Sequence, residues 1–450
     1  MKQIFSLILT GALLLTGLTG CGRSGALDPR DPVTLTIWHV YGSQTESPMN
    51  DCIDEFNRTT GKENGVLVSV VSVSSSSAID EALTAAAKGT PGVPDLPDLF
   101  TAYPRVAEIV GPDRLLDWSE YLDPQELDAF VDEFLEEGRF GGRLLMLPIA
   151  KSTEMLFLNK TLFDVFAAET GVTSDCFDTF EGLFDTCRGY YDWSGGQDLF
   201  QINDFYHYAL TGMAARGEDF VTDGRLNLNS PAFEQVWLPM ARAGIYGGLC
   251  LGDGYASDRW KTGEVLCNVG STAGILYLRD YVTYPDNTTV DIETSILPYP
   301  LFEGGEAVVV HRGGGLFALK QEDERQNEAA ALFARWLTAR ENNLSFVTKT
   351  GYLPVTEEAF AALLENVDTV EQPKYRQLYR AVGALTGEYT FCAVPVYEDA
   401  SETQTAFEAN VKAVLRAARE EYLARTAAGE EPAAALEELA ASTVAQLRGL

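Results

Sequence analysis

The chain has 450 residues with 33 Lys+Arg against 66 Asp+Glu, a formal net charge of -33, and 46% of its residues are apolar. That apolar share suits packed domains rather than a disordered chain, and the length admits two to four of them. The acid excess argues against a phosphate-binding nucleic-acid face and a polybasic membrane patch, because both need the opposite charge. Three histidines (His39, His207, His311) and seven cysteines without C-x-x-C spacing argue against a His-rich metal site, a zinc ribbon or a thioredoxin-like redox motif.

Lys2 precedes the apolar run Ile4 to Gly20, which ends in Leu18-Thr19-Gly20-Cys21. One positive residue, an apolar core and small residues before a cleavage point predict a secretory signal over 1–20. Three glycines in so short a run make it marginal as a spanning helix of ~20 residues; an uncleaved anchor is the alternative. L-T-G-C resembles the lipobox of bacterial lipoproteins, which implies lipidation at Cys21 and a tether over 21–32. Six cysteines then remain: Cys52, Cys176, Cys187, Cys250, Cys267 and Cys392. An export compartment permits disulfides, with Cys176/Cys187 and Cys250/Cys267 the nearest pairs; buried free thiols are the alternative.

Val33 to Trp38 alternates strictly and predicts a strand. Ser47-Pro48 supplies a cap and a first-turn proline for a helix carrying Met49, Ile53 and Phe56 on one face, with Gly61 as its stop. Val66 to Val73 reads as a strand, Ala78 to Lys88 as a helix and Asp98 to Thr101 as a third strand. This order predicts an α/β unit with a mainly parallel sheet, whose ligands sit beyond the carboxyl ends of its strands. Trp38-His39-Val40-Tyr41 and Ala102-Tyr103-Pro104-Arg105 then share one edge. Leu144 to Leu158, interrupted by Pro148 and by Lys151-Ser152-Thr153-Glu154, suits a strand passing between two lobes.

Residues 160 to 295 read as mostly helical, with a helix from Ser230-Pro231 to Gly244. Ile296 to Pro300 reads as extended. Gly313-Gly314-Gly315 precedes the apolar run Leu316 to Leu319, and helices follow near Glu322 to Leu337 and Glu341 to Lys349. Thr350 to Val355 breaks the pattern before tail helices over Ala406 to Thr426 and Pro432 to Leu447.

Signatures of chemistry are scarce. The sequence holds no G-x-S-x-G, H-E-x-x-H or G-x-x-x-x-G-K-[ST]. Asp253 to Glu264 has acids at both ends of a calcium-loop length, but Asp258 stands where that loop needs glycine and Tyr255 replaces a ligand. No metal or cofactor is expected. Aromatic residues near loop edges are more informative: Trp38, Tyr41, Tyr103, Trp193, Tyr255, Trp260, Tyr277 and Tyr352. Several of these at a cleft mouth would suit a ligand with apolar faces and hydroxyl edges. Each alone suits the core better than a ligand platform.

The ordered set T-I-W-H, K-S-T-E-M-L-F-L-N-K, the glycine run and T-G-Y-L-P-V resembles the extracellular solute-binding proteins (family 1) of ABC importers, in the carbohydrate and glycerol-3-phosphate subfamily. The resemblance implies the α/β two-lobe periplasmic-binding-protein fold, class II type, with crossover strands joining the lobes around a cleft. Its boundaries fall at 33–152 plus 297–348 for the N-terminal lobe and 153–296 plus 349–450 for the C-terminal lobe. It implies a receptor without catalysis, monomeric, lipid-anchored on the outer face of the cytoplasmic membrane. Such a receptor closes on a solute and hands it to ABC permease subunits.

Against the glycerol-3-phosphate binding proteins, the hinge serine falls on Ser152, a second contact on Ser271 or Thr272, the backbone glycine on Gly313 and the G-Y-L-P tyrosine on Tyr352. A family tyrosine is replaced by Ser75, and a family glutamate by Pro104 after Tyr103. The late phosphate-binding arginine falls near Phe391-Cys392, where no basic residue stands. These departures favour an uncharged sugar, oligosaccharide or polyol over a phosphorylated polyol, for which Lys151, Arg312 and the glycine run would have to substitute. The expected half-sites are Trp38, His39, Tyr41, Ser75, Tyr103 and Gly313 on one lobe and Ser271, Thr272 and Tyr352 on the other, with Ser152 at the hinge and Glu154 beside it. A secreted carbohydrate-active enzyme is the rival from another class, requiring two carboxylates facing each other across the cleft. A lipid-anchored adhesin is a third reading.

Overall fold

The computed structural model describes residues 27–41, 47–73, 76–397 and 399–449. Cys21, the signal segment and Ser75 therefore lie outside the described residues. In the strand Val33–His39, Val33, Leu35 and Ile37 point to one side and pack with Phe56 and Phe333. Trp38 points to the other side and packs with Ile79, Phe100 and Phe317. This strand is thus buried on both faces, as a sheet covered by helices on two sides requires.

Five strands form this first sheet, in the order Val66–Val73, Val33–His39, Leu99–Ala102, Gly315–Ala318, Leu147–Pro148. Val33–His39 runs parallel to its neighbours on both sides. Gly315–Ala318 is antiparallel to Leu99–Ala102 and to Leu147–Pro148. The helix Pro48–Arg58 begins as its sequence requires, with the Ser47 side chain accepting from Asn50 N and proline in the first turn. It ends before Gly61; a short helix Thr60–Asn64 follows, and Gly65, left-handed at φ 71°, makes the stop.

The second sheet is built around Ser152–Asn159, all eight residues of which are buried. It pairs antiparallel with Cys267–Ser271 on one side and with Val308–Arg312 and Thr294–Leu297 on the other. Phe200–Ile202 and Thr390–Cys392 complete the sheet at its two edges. Helices Phe205–Ala215, Pro231–Tyr246, Ala400–Ala427 and Pro432–Arg448 contribute to one core, in which Phe233, Trp237, Leu415 and Val444 are buried together. A second core lies around Trp260, Leu278, Tyr375 and Tyr379. Pro231–Tyr246 continues through Pro239 and past Gly244, and the long tail helix starts at Ala400.

One boundary moves. Residues 297–312, expected with the first lobe, lie with the second: Leu297 pairs with Leu156, and Val309 and Val310 join the second core. The pairing on Ser152–Asn159 fixes them there. The chain crosses between lobes near Lys151, near Gly313 and near Tyr352. These crossings lie side by side, with Arg312 opposite Ser152 and Lys151 bridged to Leu353.

Among the described residues, no helix is long and apolar enough to cross a membrane, and no group of three or more His, Cys, Asp or Glu is placed to hold a metal ion. All six described cysteines are free, including both candidate pairs.

Candidate functional site

A cavity of about 760 Å³ opens between the two lobes. Its first wall is Val40 and Tyr41, just past Val33–His39, together with Thr101 to Tyr103 at the end of Leu99–Ala102. The crossings supply Ser152, Arg312, Gly313 and Tyr352. The opposite wall is Asn203, just past Phe200–Ile202, and Asn268, Gly270 and Ser271 from Cys267–Ser271, with Tyr255 and Tyr277 at the rim. Most of these residues stand at carboxyl ends of strands, where α/β sheets leave space for ligands.

Five tyrosines line the cavity: Tyr41, Tyr103, Tyr255, Tyr277 and Tyr352. Tyr41 and Tyr352 meet edge to face at 5.5 Å, and Phe346 backs Tyr41 at 5.0 Å. Burial pushes both of these phenols above their ordinary range, so they stay neutral and keep an O–H to donate. Tyr255 and Tyr277 are 71% and 54% exposed, which leaves their ring faces free for an incoming ligand. The glycine run has a steric cause: a Cβ on Gly314 would stand 2.2 Å from the Ala102 carbonyl, and Gly313 sits at φ 118°. Only glycine lets the crossing strand pass so close to the end of Leu99–Ala102.

Every cation in the lining has a carboxylate partner. Arg312 reaches Glu154 Oε1 at 3.2 Å and Asp204 Oδ2 at 3.9 Å. Burial opposes the charge on Arg312, but Asp204 and Glu154 outweigh it and hold the group above its ordinary range. Arg105 donates to Asp80 at 2.5 Å and, across the lobes, to Ser401 Oγ at 2.7 Å. Lys261 pairs with Asp258 at 2.9 Å. Lys151 does not reach the cavity: its side chain is fully buried, paired to Glu137 and donating to the Gly313 carbonyl at 3.1 Å.

Of the expected site residues, the structure gathers Tyr41, Tyr103, Ser152, Ser271, Gly313 and Tyr352 around this cavity. Four others fall elsewhere. Trp38 fills the core, because it still lies within the strand, on a face covered by Ile79 and Val106. His39 is fully buried, its Nε2 facing Asn50 Oδ1 at 2.8 Å and its Nδ1 accepting from Tyr41 N at 3.1 Å. Thr272 is buried behind Ser271. Glu154 is 2% exposed and committed to Arg312 and to His207, 3.2 Å away, so it does not face a second carboxylate across the cleft. Among the flagged aromatics, Trp260 is also core, its Nε1 donating to Arg279 O. Asn203, Asn268 and Arg105 were not singled out as ligand contacts. The strand-end rule, applied to the short strand before Asn203, was the available signal for that residue.

A cleft between two lobes hung on three crossings defines a two-lobe binding protein, and the comparisons agree. The sequence matches the bacterial extracellular solute-binding protein family over residues 51–375, and the chain belongs to it. This is a family of binding proteins, not of enzymes. The sn-glycerol-3-phosphate-binding periplasmic proteins UgpB of Salmonella typhimurium and Salmonella typhi are each 23% identical over 232 residues, covering 49% of this chain and 50% of the relative. The chain thus spans about half the length of the curated relatives it matches.

Among solved structures, the cyclic alpha-maltosyl-1,6-maltose binding protein from Arthrobacter globiformis superposes with a TM-score of 0.65 at 18% identity, over 92% of this chain and 99% of that one. UgpB from Mycobacterium tuberculosis in complex with glycerophosphocholine gives 0.65 at 16%, over 92% and 98%. An ABC transporter solute-binding protein from Agrobacterium radiobacter K84 in complex with ribitol gives 0.60 at 18%, over 93% and 100%. The two-lobe periplasmic-binding-protein fold is common to all of them.

Proposed function

We propose that this protein is the receptor of an ABC importer, and that it captures a neutral sugar, oligosaccharide or polyol between its lobes for delivery to a membrane permease. One observation carries the reading. The cavity is walled by five tyrosines, two asparagines and several hydroxyls, while its three cations already have carboxylate partners. Neutral hydroxyls match such a wall, whereas an anion needs cationic groups not already neutralised.

Covering ~60 Å² of ring face is worth about 1.5 kcal/mol at ~25 cal/mol/Å². A few stacked rings with several hydrogen bonds reach the about 8.2 kcal/mol of micromolar binding. The solute bridges Tyr41, Tyr103 and Gly313 on one side and Ser271 on the other, with Ser152 and Tyr352 at the crossings. It favours closure by contacts made only when the lobes meet. Cys21 carries the lipid and the protein works as a monomer outside the cytoplasmic membrane; residues 27–32, expected in the tether, lie against the first lobe instead, with Leu27 on its core and Asp31 paired to Arg325. A phosphorylated polyol is the second reading, supported by Arg105 and Arg312 in the lining and by the two glycerol-3-phosphate-binding relatives.

Thermal-shift screening of the intact protein against maltotriose, ribitol and glycerol-3-phosphate tests the proposal, since a ligand that binds the native form raises its melting temperature. A rise with maltotriose or ribitol is expected. A rise with glycerol-3-phosphate alone overturns the ligand class, and turnover of a glycan overturns the receptor reading. Tyr352→Ala should weaken binding about tenfold without unfolding the chain; unchanged affinity removes Tyr352 from the site.

A further inference from the structure

Arg105 belongs to the first lobe but ends on the second. Asp80, on the helix Ser76–Ala87, is only 5% exposed, and its Oδ2 accepts from Arg105 Nε at 3.1 Å and from Nη2 at 2.5 Å. Asp80 Oδ1 has no partner among the described residues, so parting from Arg105 would leave a buried carboxylate uncompensated. That cost keeps Arg105 with the first lobe. Its remaining nitrogen, Nη1, donates to Ser401 Oγ at 2.7 Å, in the first turn of the tail helix Ala400–Ala427. One and two turns further on, this helix is fixed to the second lobe: Gln404 Nε2 donates to Asp204 Oδ2 at 3.2 Å, and Glu408 Oε1 accepts from Tyr206 N at 2.7 Å. The two ends of the Arg105–Ser401 bond are therefore each held by a different lobe. Arg105 lines the main cavity, and Ser401 lines a smaller space of about 220 Å³ beside it. Parting the lobes at the cavity by only ~1 Å would take this bond beyond hydrogen-bond range.

We propose that Arg105 and Ser401 are positioning residues of solute capture: their bond is a tie that holds the lobes together in the solute-free protein and so strengthens binding. The proposal rests on the reading of the cavity as a solute site closed by lobe movement. A solute that binds only the closed arrangement has an apparent Kd equal to its intrinsic value divided by the fraction of solute-free protein already closed. The tie raises that fraction. It is also reversible, because water replaces the neutral Ser401 hydroxyl on opening while Arg105 stays paired to Asp80. Ser401 does not line the main cavity, so removing its hydroxyl alters the closed fraction and leaves the cavity wall intact. The Arg105 side chain is 41% exposed, so water screens the bond, and one charged–neutral hydrogen bond in such a setting shifts the closed-to-open ratio about fivefold.

Small-angle X-ray scattering of the solute-free full chain tests this in wild type, Ser401→Ala and Ser401→Thr. Ser401→Ala should show a larger radius of gyration than wild type, and Ser401→Thr, which keeps the hydroxyl, should match wild type. Calorimetric titration with maltotriose, ribitol and glycerol-3-phosphate should give a Kd raised about two- to fivefold in Ser401→Ala for each probe that wild type binds, with the melting temperature of the solute-free protein retained. Identical scattering of wild type and Ser401→Ala overturns the tie and leaves the receptor reading intact. An equally enlarged Ser401→Thr overturns the role of the hydroxyl. A larger radius with unchanged Kd overturns the part of the tie in capture. If the scattering changes as expected and wild type binds none of the three probes, the tie between the lobes stands and the reading of the cavity as a sugar or polyol site falls.

Discussion

Lys151 gives the sharpest test of how the crossings are held. Its ammonium is fully buried, pairs with Glu137 at the end of the short helix Asp132–Glu136, and donates to the Gly313 carbonyl on the neighbouring crossing. The Glu137 side chain is itself only 7% exposed. Lys151→Met keeps the length and bulk of the side chain but leaves a carboxylate unpaired in a dry place. Removing one partner of a buried pair costs ~3–5 kcal/mol, whereas replacing both with uncharged groups is often nearly neutral. The single variant should therefore lose ~3–5 kcal/mol, and Lys151→Met with Glu137→Leu should recover to within about 1 kcal/mol of wild type. Urea unfolding followed by tryptophan fluorescence measures all four corners of the cycle. A single-variant loss under about 1 kcal/mol, or a double variant no better than Lys151→Met, refutes the argument.

Two further outcomes follow from buried titratable groups. His311, on the crossing strand, has no hydrogen-bond partner for either ring nitrogen among the described residues, and burial together with nearby Lys151 pushes it down to about 3. The unfolded chain takes up this proton below about 6.5 and the folded chain does not, so stability should fall by about 1.4 kcal/mol per pH unit as pH drops from 6.5 toward 3. His311→Phe should flatten that acid limb in urea titrations between pH 7 and 4; an unchanged slope disproves the assignment. Burial pushes Cys52 and Cys176 up to about 11 and Cys392 to about 12. Ellman's reagent at pH 8 should therefore label the native protein slowly and reach all six described cysteines in denaturant, and a lower final count would mean a disulfide.

The first lobe was the more legible in sequence because its strands announce themselves. Val33 to Trp38 alternates and Val66 to Val73 is valine-rich, so the strand-end rule found Tyr41 and Tyr103 directly. The same rule misjudged Trp38 and His39. Both faces of the sheet are covered, and residues still within the strand point into helices rather than past its end. The second lobe hid its central wall. Cys267–Ser271 reads C-N-V-G-S and has no periodicity of its own; its burial comes from Ser152–Asn159 and Phe200–Ile202 on either side. Asn203 and Asn268 went unnoticed with it. Arg312 was visible as a glycine-run neighbour, but its neutralisation by Glu154, 158 residues away, is a long-range fact that local pattern does not carry.

The threading of the chain has a consequence for its folding. The first sheet inserts Gly315–Ala318 between Leu99–Ala102 and Leu147–Pro148, and the second lobe draws Val444 and Leu447 into its core. Pairings between such distant segments form slowly, after the loops joining them have closed. The first sheet thus waits for Gly315–Ala318 and the second core for Val444 and Leu447, so neither lobe can close from its early segments alone.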